Sequence, residues 1–416
     1  MKNIKLAGLL LFTVILVFGC VEEEKKFNNE HIMDLPPLYE QFSVHFPMIG
    51  NIYRISNDSS SGGNPQIINE QLLHHFNTLT AENDMKPSYL TNNRTGDTIS
   101  YTFNNADRFV NAANNSGFKV IGHTLLWHSQ NPNWIWSQIA SRTGTIASGM
   151  TKEQALVIMK SYITTVVSRY AGKIHTWDVL NEIFPDNAGG SANWKTAMRR
   201  NASGEGQDAN PWYIAIGPDF VYEGFLAARL ADPNAILYYN DYNTDMPNRA
   251  RLIRDMVKEV NDTYLASSDK PAGEPAGRLL IEGIGMQEHH NLGITAQRIK
   301  ATIDTFRTLN VAGRDPIKLS VSELDIIAMT WGQFSAAGGS GSDRDNTTSI
   351  PDSDLIKQGD LYRDYMRLYI ANKDIIERVS LWGVTDNQSW RSRGHPLLFD
   401  RNGRAKPAYY RFVGAL

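Results

Sequence analysis

Residues 174–184 read IHTWDVLNEIF. Trp177, Val179 and Leu180 suit a buried strand, yet the run delivers Asn181-Glu182 before a second apolar pair, Ile183-Phe184. A carboxylate among buried apolar residues is costly unless it is paired or hydrogen-bonded. Glu182 therefore calls for a counterpart elsewhere in the chain.

Seven similar runs accompany this one, at residues 46–52, 76–80, 119–122, 235–239, 279–285, 317–321 and 378–384. Their apolar character is continuous rather than alternating, as in parallel strands covered on both faces. Helical patterns lie between them. Thr151 and Gln154 form a capping-box pair ahead of Leu156, Met159, Ile163, Val166 and Tyr170, with Gly172 just past the end. Thr295 is likewise placed to cap a helix carrying Ile299, Ile303, Phe306 and Leu309. Eight strand–helix units at this length predict an α/β chain closed into a (β/α)8 TIM barrel, a single catalytic domain. A doubly wound open sheet is the alternative. Residues 328–354 follow the seventh run and contain GGSGSD without the Lys-Ser/Thr of a phosphate loop, so they are expected to be a flexible insertion.

The 416 residues carry a formal net charge of −3 with 20% charged residues, which speaks against a nucleic-acid or membrane-surface binder. Nine Trp and 17 Tyr suit a surface that stacks on flat apolar faces, sugar rings included, though most aromatics in any chain are core. At the N-terminus, Lys2 and Lys5 precede residues 6–18, apolar apart from Gly8 and Thr13, and Cys20 is the only cysteine. Too short to span a bilayer, this layout is that of a secretory signal and resembles a bacterial lipoprotein signal. The expected division is a signal peptide at 1–19, a lipidated Cys20 opening a tether to residue 40, and a catalytic domain at 41–416. VEEEKK at 21–26 resembles the surface-export tag of Bacteroidetes-type lipoproteins, with a plain hydrophilic tether as the alternative. The expectation is an exported lipoprotein at the outer membrane, either periplasmic or at the cell surface.

In a barrel of this kind the active site lies at the C-terminal ends of the strands. The second run ends TAENDMK (80–86), the third GHTLLWHSQ (122–130), the fourth Asn181-Glu182 and the sixth Gln287-Glu288-His289. The seventh ends Ser322-Glu323-Leu324-Asp325, and the eighth continues as WGVTDNQSW (382–390). There is no GxSxG nucleophile elbow, and no HxxxH or HExxH spacing, so neither metal nor other cofactor is expected. What remains is a pair of carboxylates among Trp, Asn, Gln and His. Strands four and seven lie across a barrel from each other, so Glu182 and Glu323 can face one another over its mouth. Opposed carboxylates with aromatic walls are the equipment of glycoside hydrolysis.

FNTLTAENDMK (76–86), GHTLLWHSQ (122–130), WDVLNE (177–182), GIGMQEHH (283–290), SVSELDI (320–326) and LWGVTDNQSW (381–390) resemble, in order, the signature segments of glycoside hydrolase family 10, the endo-β-1,4-xylanases. PLLFD (396–400) is similar too, so the resemblance spans nearly the whole chain after the tether. It implies a retaining enzyme with Glu182 as general acid/base and Glu323 as nucleophile. It implies that His289 bonds the nucleophile, that Asp325 holds His289, and that Asn181 bonds the sugar 2-hydroxyl. Glu82, Asn83 and Lys86 would bind sugars on the non-reducing side. His123, Trp127 and Gln287 would line the cleavage subsite, with Trp382 and Trp390 over it. The implied substrates are xylan and xylo-oligosaccharides, handled by a monomer that works beside other glycan-uptake proteins. Two features depart from the family: His290, at a position often apolar, and the 328–354 insertion. A barrel hydrolase of cellulose or mixed-linkage glucan, and a catalytically silent glycan-binding lipoprotein, are the competing readings; the latter should have lost a catalytic carboxylate.

Overall fold

The computed structural model describes residues 27–55, 68–186, 188–202, 208–339 and 348–416. Eight parallel strands form a closed barrel: β1 (Met48–Tyr53), β2 (Thr78–Ala81), β3 (Lys119–Leu126), β4 (Thr176–Asn181), β5 (Ile236–Asp241), β6 (Gly283–Met286), β7 (Lys318–Ile327) and β8 (Ile376–Leu381). Each pairs with the next in sequence, and β8 returns to pair with β1. The closed (β/α)8 barrel is thus the observed fold, and all eight apolar runs are its strands. Nearly every strand residue is buried, because side chains fill the interior while helices cover the outside. Close packing inside leaves no room for side chains at some positions: a Cβ at Gly122 would stand 2.3 Å from the Trp177 ring.

The helix Lys152–Arg169 begins with the expected capping box, Thr151 Oγ1 accepting from the Gln154 N–H at 3.2 Å and the Gln154 side chain accepting from the Thr151 N–H at 3.0 Å. The helix Ala296–Arg307 has Thr295 at its N-cap, but the threonine side chain makes no capping bond. A two-stranded hairpin, Thr91–Thr95 with Thr98–Tyr101, decorates the connection after β2. A short strand, His289–Asn291, continues past β6 and pairs with residues 325–327 at the end of β7.

Two expectations need correction. The stretch up to residue 40, expected to be a tether, is packed onto the barrel from Glu30 onward. Ile32, Leu35 and Leu38 are buried, and Glu30 C=O accepts from the Ala405 N–H at 2.8 Å. Apolar residues at that spacing give the segment a face worth burying. The insertion after β7 is not loop throughout: Thr330 and Gln333 form a capping box that starts a helix, Trp331–Ala336. Residues 1–26, with Cys20 and the expected signal, lie outside the described residues, as do residues 340–347 of the insertion. Among the described residues no helix is long and apolar enough to cross a membrane.

Candidate active site

Adjacent residues of a regular strand point to opposite faces. Asn181 and Glu182 nevertheless share the cleft, because Gln287 Nε2 donates to both Asn181 Oδ1 (3.2 Å) and Glu182 Oε1 (2.8 Å). The alternation is broken at Glu182, whose φ is +53°. For a residue with a Cβ the left-handed region costs roughly 1–2 kcal/mol and persists only where the surroundings enforce it. Here the Glu182 N–H donates to the Asn240 C=O at 3.0 Å, and the Glu182 C=O accepts from Arg199 Nε at 2.9 Å. Arg199 is fixed in turn by donating to the Tyr242 hydroxyl at 2.7 Å. The Glu182 carboxylate also accepts from Trp127 Nε1 (2.9 Å) and Asn181 Nδ2 (3.2 Å), with His128 Nδ1 3.9 Å away.

Glu323 sits across the barrel mouth on β7. Its Oε1 accepts from Asn240 Nδ2 at 2.7 Å, and the same amide donates to Asn181 Oδ1 at 2.9 Å. Glu182, Gln287, Asn181, Asn240 and Glu323 therefore form one hydrogen-bonded chain. Asn240 has room only because residue 285 is glycine: a Cβ there would lie 2.2 Å from Asn240 Oδ1. Ser322 Oγ completes the amide's orientation by donating to Asn240 Oδ1 at 2.6 Å.

Glu323 and Asp325 are two apart on one strand, so both face His289. His289 Nε2 is 3.1 Å from Glu323 Oε2, and Nδ1 is 3.0 Å from Asp325 Oδ2. Asp325 also accepts from Arg391 Nη1 at 2.5 Å and Trp390 Nε1 at 3.0 Å. Burial by itself would push the His289 imidazole down, but Asp325 and then Glu323 outweigh it and hold it up at about 9. Burial would likewise raise Glu323; the His289 hydrogen bond and the nearby imidazoles, His123 included, keep its carboxyl below the ordinary range. Arg391, Asp325, His289 and Glu323 thus alternate in charge across the floor of the site.

Because the folded His289 value lies above the ordinary 6.5, its contribution to stability is complete below about pH 6.5 and is lost as pH rises through about 9. Urea unfolding of the wild type and of His289→Gln, at about pH 6 and about pH 10, should show the gap between them narrowing at the higher pH. A gap that is unchanged or wider at high pH refutes this coupling.

The remaining predicted residues surround this core. Lys86 is buried and donates to Asn83 Oδ1 (3.1 Å) and Gln130 Oε1 (2.8 Å), its Nζ 4.9 Å from the Trp127 ring centroid. Burial lowers the Lys86 ammonium below its ordinary range, against the pull of Glu323, Glu82 and Glu182. Glu82 follows β2 directly, its N–H bonded to the Tyr53 C=O at 3.1 Å. His123 is oriented by Asp178 Oδ2 at 3.0 Å, and its ring meets Trp382 edge-on at 5.7 Å. Trp382 and Trp390 flank His289, with centroids 6.2 and 5.0 Å away. Every predicted cleft residue therefore lies at the C-terminal mouth. Asn240 and Arg391 were missed, although Asn240 stands at the polar end of the fifth run and Arg391 directly after Trp390. His290 is not exposed to the cleft: it is buried, with Nε2 2.8 Å from Glu288 Oε2, a carboxylate that also accepts from Tyr369 at 2.9 Å.

A (β/α)8 barrel whose C-terminal mouth holds two carboxylates, Glu182 just past the fourth strand and Glu323 on the seventh, fits the class of the glycoside hydrolases. The chain belongs to one family of that class, glycosyl hydrolase family 10, whose profile matches residues 41–415. It is similar to a β-1,4-xylanase of Dictyoglomus thermophilum, 30% identical over 99% of both chains. It is 30% identical to endo-1,4-β-xylanase A of Thermotoga maritima over 96% of its own length, but spans only 32% of that protein. Among solved structures it resembles a family 10 xylanase with a bacterial Ig-like domain from termite gut, with a TM-score of 0.81 and 49% identity over 93% of this chain and 78% of that one.

Proposed function

We propose that the protein is a retaining endo-β-1,4-xylanase that cleaves internal bonds of xylan. The observation that carries this reading is the hydrogen-bonded chain from Glu182 through Gln287, Asn181 and Asn240 to Glu323, which ties a candidate acid to a candidate nucleophile. The xylanases named among its relatives support the substrate. In the first step Glu323 attacks the anomeric carbon while protonated Glu182 gives its proton to the leaving oxygen. A glycosyl ester on Glu323 results. In the second step ionised Glu182 takes a proton from water as that water attacks the anomeric carbon, breaking its bond to the Glu323 oxygen and freeing the carboxylate. Asn181 grips the 2-hydroxyl, and His289, set by Asp325, orients the nucleophile. Glu82, Asn83 and Lys86 bind the sugars on the non-reducing side. His123, Trp127 and Gln287 line the cleavage subsite under Trp382 and Trp390, which crowd out the hydroxymethyl of glucose-type chains.

The test is reducing-sugar release by protein lacking residues 1–20 from xylan, cellulose and mixed-linkage glucan. Release from xylan is expected. Binding without release from any xylan would overturn the enzyme reading, and release from glucans alone would move the substrate to cellulose-type chains. We also infer from the N-terminal sequence that Cys20 carries lipid and places the enzyme, a monomer working beside glycan-uptake proteins, at the outer membrane. Cys20→Ala should then move the protein from the membrane to the soluble fraction; an unchanged distribution counts against lipidation.

A further inference from the structure

All nine tryptophans fall within the described residues, and Trp331 alone is more than half exposed, at 54%. It opens the helix Trp331–Ala336 in the insertion after the nucleophile strand. One helical turn on, Phe334 is fully buried with Ile327 and Met329 and seats the helix against the end of β7. Trp331 leans on Phe334, ring centroids 5.7 Å apart, so its place is fixed although its surface is open. A single exposed apolar side chain is ordinary in itself; what sets Trp331 apart is what its ring stands on.

What lies beneath it is the floor of the active site. The buried guanidinium of Arg391 is 5.8 Å from the ring centroids of Trp331, Phe334 and Trp390 alike. The same guanidinium bonds Asp325, and Trp390 stands 5.0 Å from His289. Trp331 and the cleft tryptophan Trp390 thus stand on one guanidinium, which sets an exposed ring beside the aromatic residues of the cleavage subsite. Aromatic faces stack on the apolar faces of sugar rings while leaving the hydroxyls wet. We propose that Trp331 is a platform for an outer xylosyl unit, a subsite that the insertion adds to the cleft. This rests on the xylanase reading above.

The experiment compares wild type, Trp331→Ala and Trp331→Phe on xylohexaose and on an aryl β-xylobioside. A stacking contact reaches only the longer chain, so the ratio of kcat/KM for xylohexaose over the short substrate should fall about threefold to tenfold in Trp331→Ala. Trp331→Phe should restore most of that ratio. If Trp331 merely covered Arg391, both substrates would lose together through Asp325 and the ratio would hold; that result overturns the subsite, as does a ratio unmoved with full activity. A wild type inert on every xylan overturns the xylanase reading and the subsite with it, a failure recognisable by the loss of all activity.

Discussion

Glu323→Ala is expected to lower xylan turnover by about four orders of magnitude or more, the scale of removing a covalent nucleophile. The variant should still fold, because the closed barrel and its apolar core are untouched and water at the cleft mouth can hydrate the donors left without an acceptor. Those donors make a second, sharper expectation. Asn240 Nδ2 and His289 Nε2 both point at the Glu323 carboxylate, and His123 and Lys86 add their pull on its charge. Removing Glu323 leaves the Arg391–Asp325–His289 row with an excess of one positive charge in a buried place, which is costly until an anion fills it. Azide is small enough to do so and is itself a nucleophile. With an activated aryl β-xyloside it should restore turnover and yield the α-glycosyl azide, the inverted product, because it attacks from the face that Glu323 occupied. Proton magnetic resonance of the anomeric centre reads the outcome. A β-glycosyl azide refutes Glu323 as the nucleophile.

The barrel was legible because each strand is covered on both faces and so reads as a continuous apolar run. The runs marked the strands but not their ends: 119–122 extends to Leu126 and 317–321 to Ile327, since the polar residues His123, Ser322, Glu323 and Asp325 interrupt the apolar signal while staying in the ladder. Polar residues at those ends disclosed most of the cleft. What stayed hidden depends on backbone angles and on pairings distant in sequence. Nothing in IHTWDVLNEIF announces the left-handed φ at Glu182 that brings two adjacent side chains to one side. Asn240 carries its role only through a fold that sets it between Asn181 and Glu323, with Gly285 leaving the space. Arg391 was silent for a similar reason, its partners being 66 residues away in Asp325 and 60 in Trp331. The Gly-rich composition of the insertion masked the capping box that precedes it, and the charged start of the N-terminal segment masked the apolar face of residues 32–38.

Glu182→Ala should behave differently from Glu323→Ala, and the contrast is the stronger test of the pair. General acid catalysis contributes typically 10²–10⁴-fold, and only when the leaving group needs a proton. Xylan, whose leaving group is a sugar hydroxyl, should therefore lose about that factor, while an aryl xyloside with an acidic phenol should still form the glycosyl ester on Glu323 at nearly the original rate. The ester would then accumulate, since the base that activates water is gone, and rapid mixing should show a burst of phenol followed by slow turnover. Azide needs no base. Entering the space vacated by Glu182, beside Trp127 Nε1, Gln287 Nε2 and Asn181 Nδ2, it should attack the anomeric carbon of the ester, displace the Glu323 carboxylate and give the β-glycosyl azide. The two alanine variants would thus return opposite anomers from one substrate and one nucleophile. That opposition follows only if Glu182 and Glu323 work on opposite faces of the sugar ring. Should both variants give the same anomer, or should Glu182→Ala slow the activated aryl substrate as much as xylan with no burst, Glu182 is not the acid/base and the hydrogen-bonded chain joining it to Glu323 serves the fold alone.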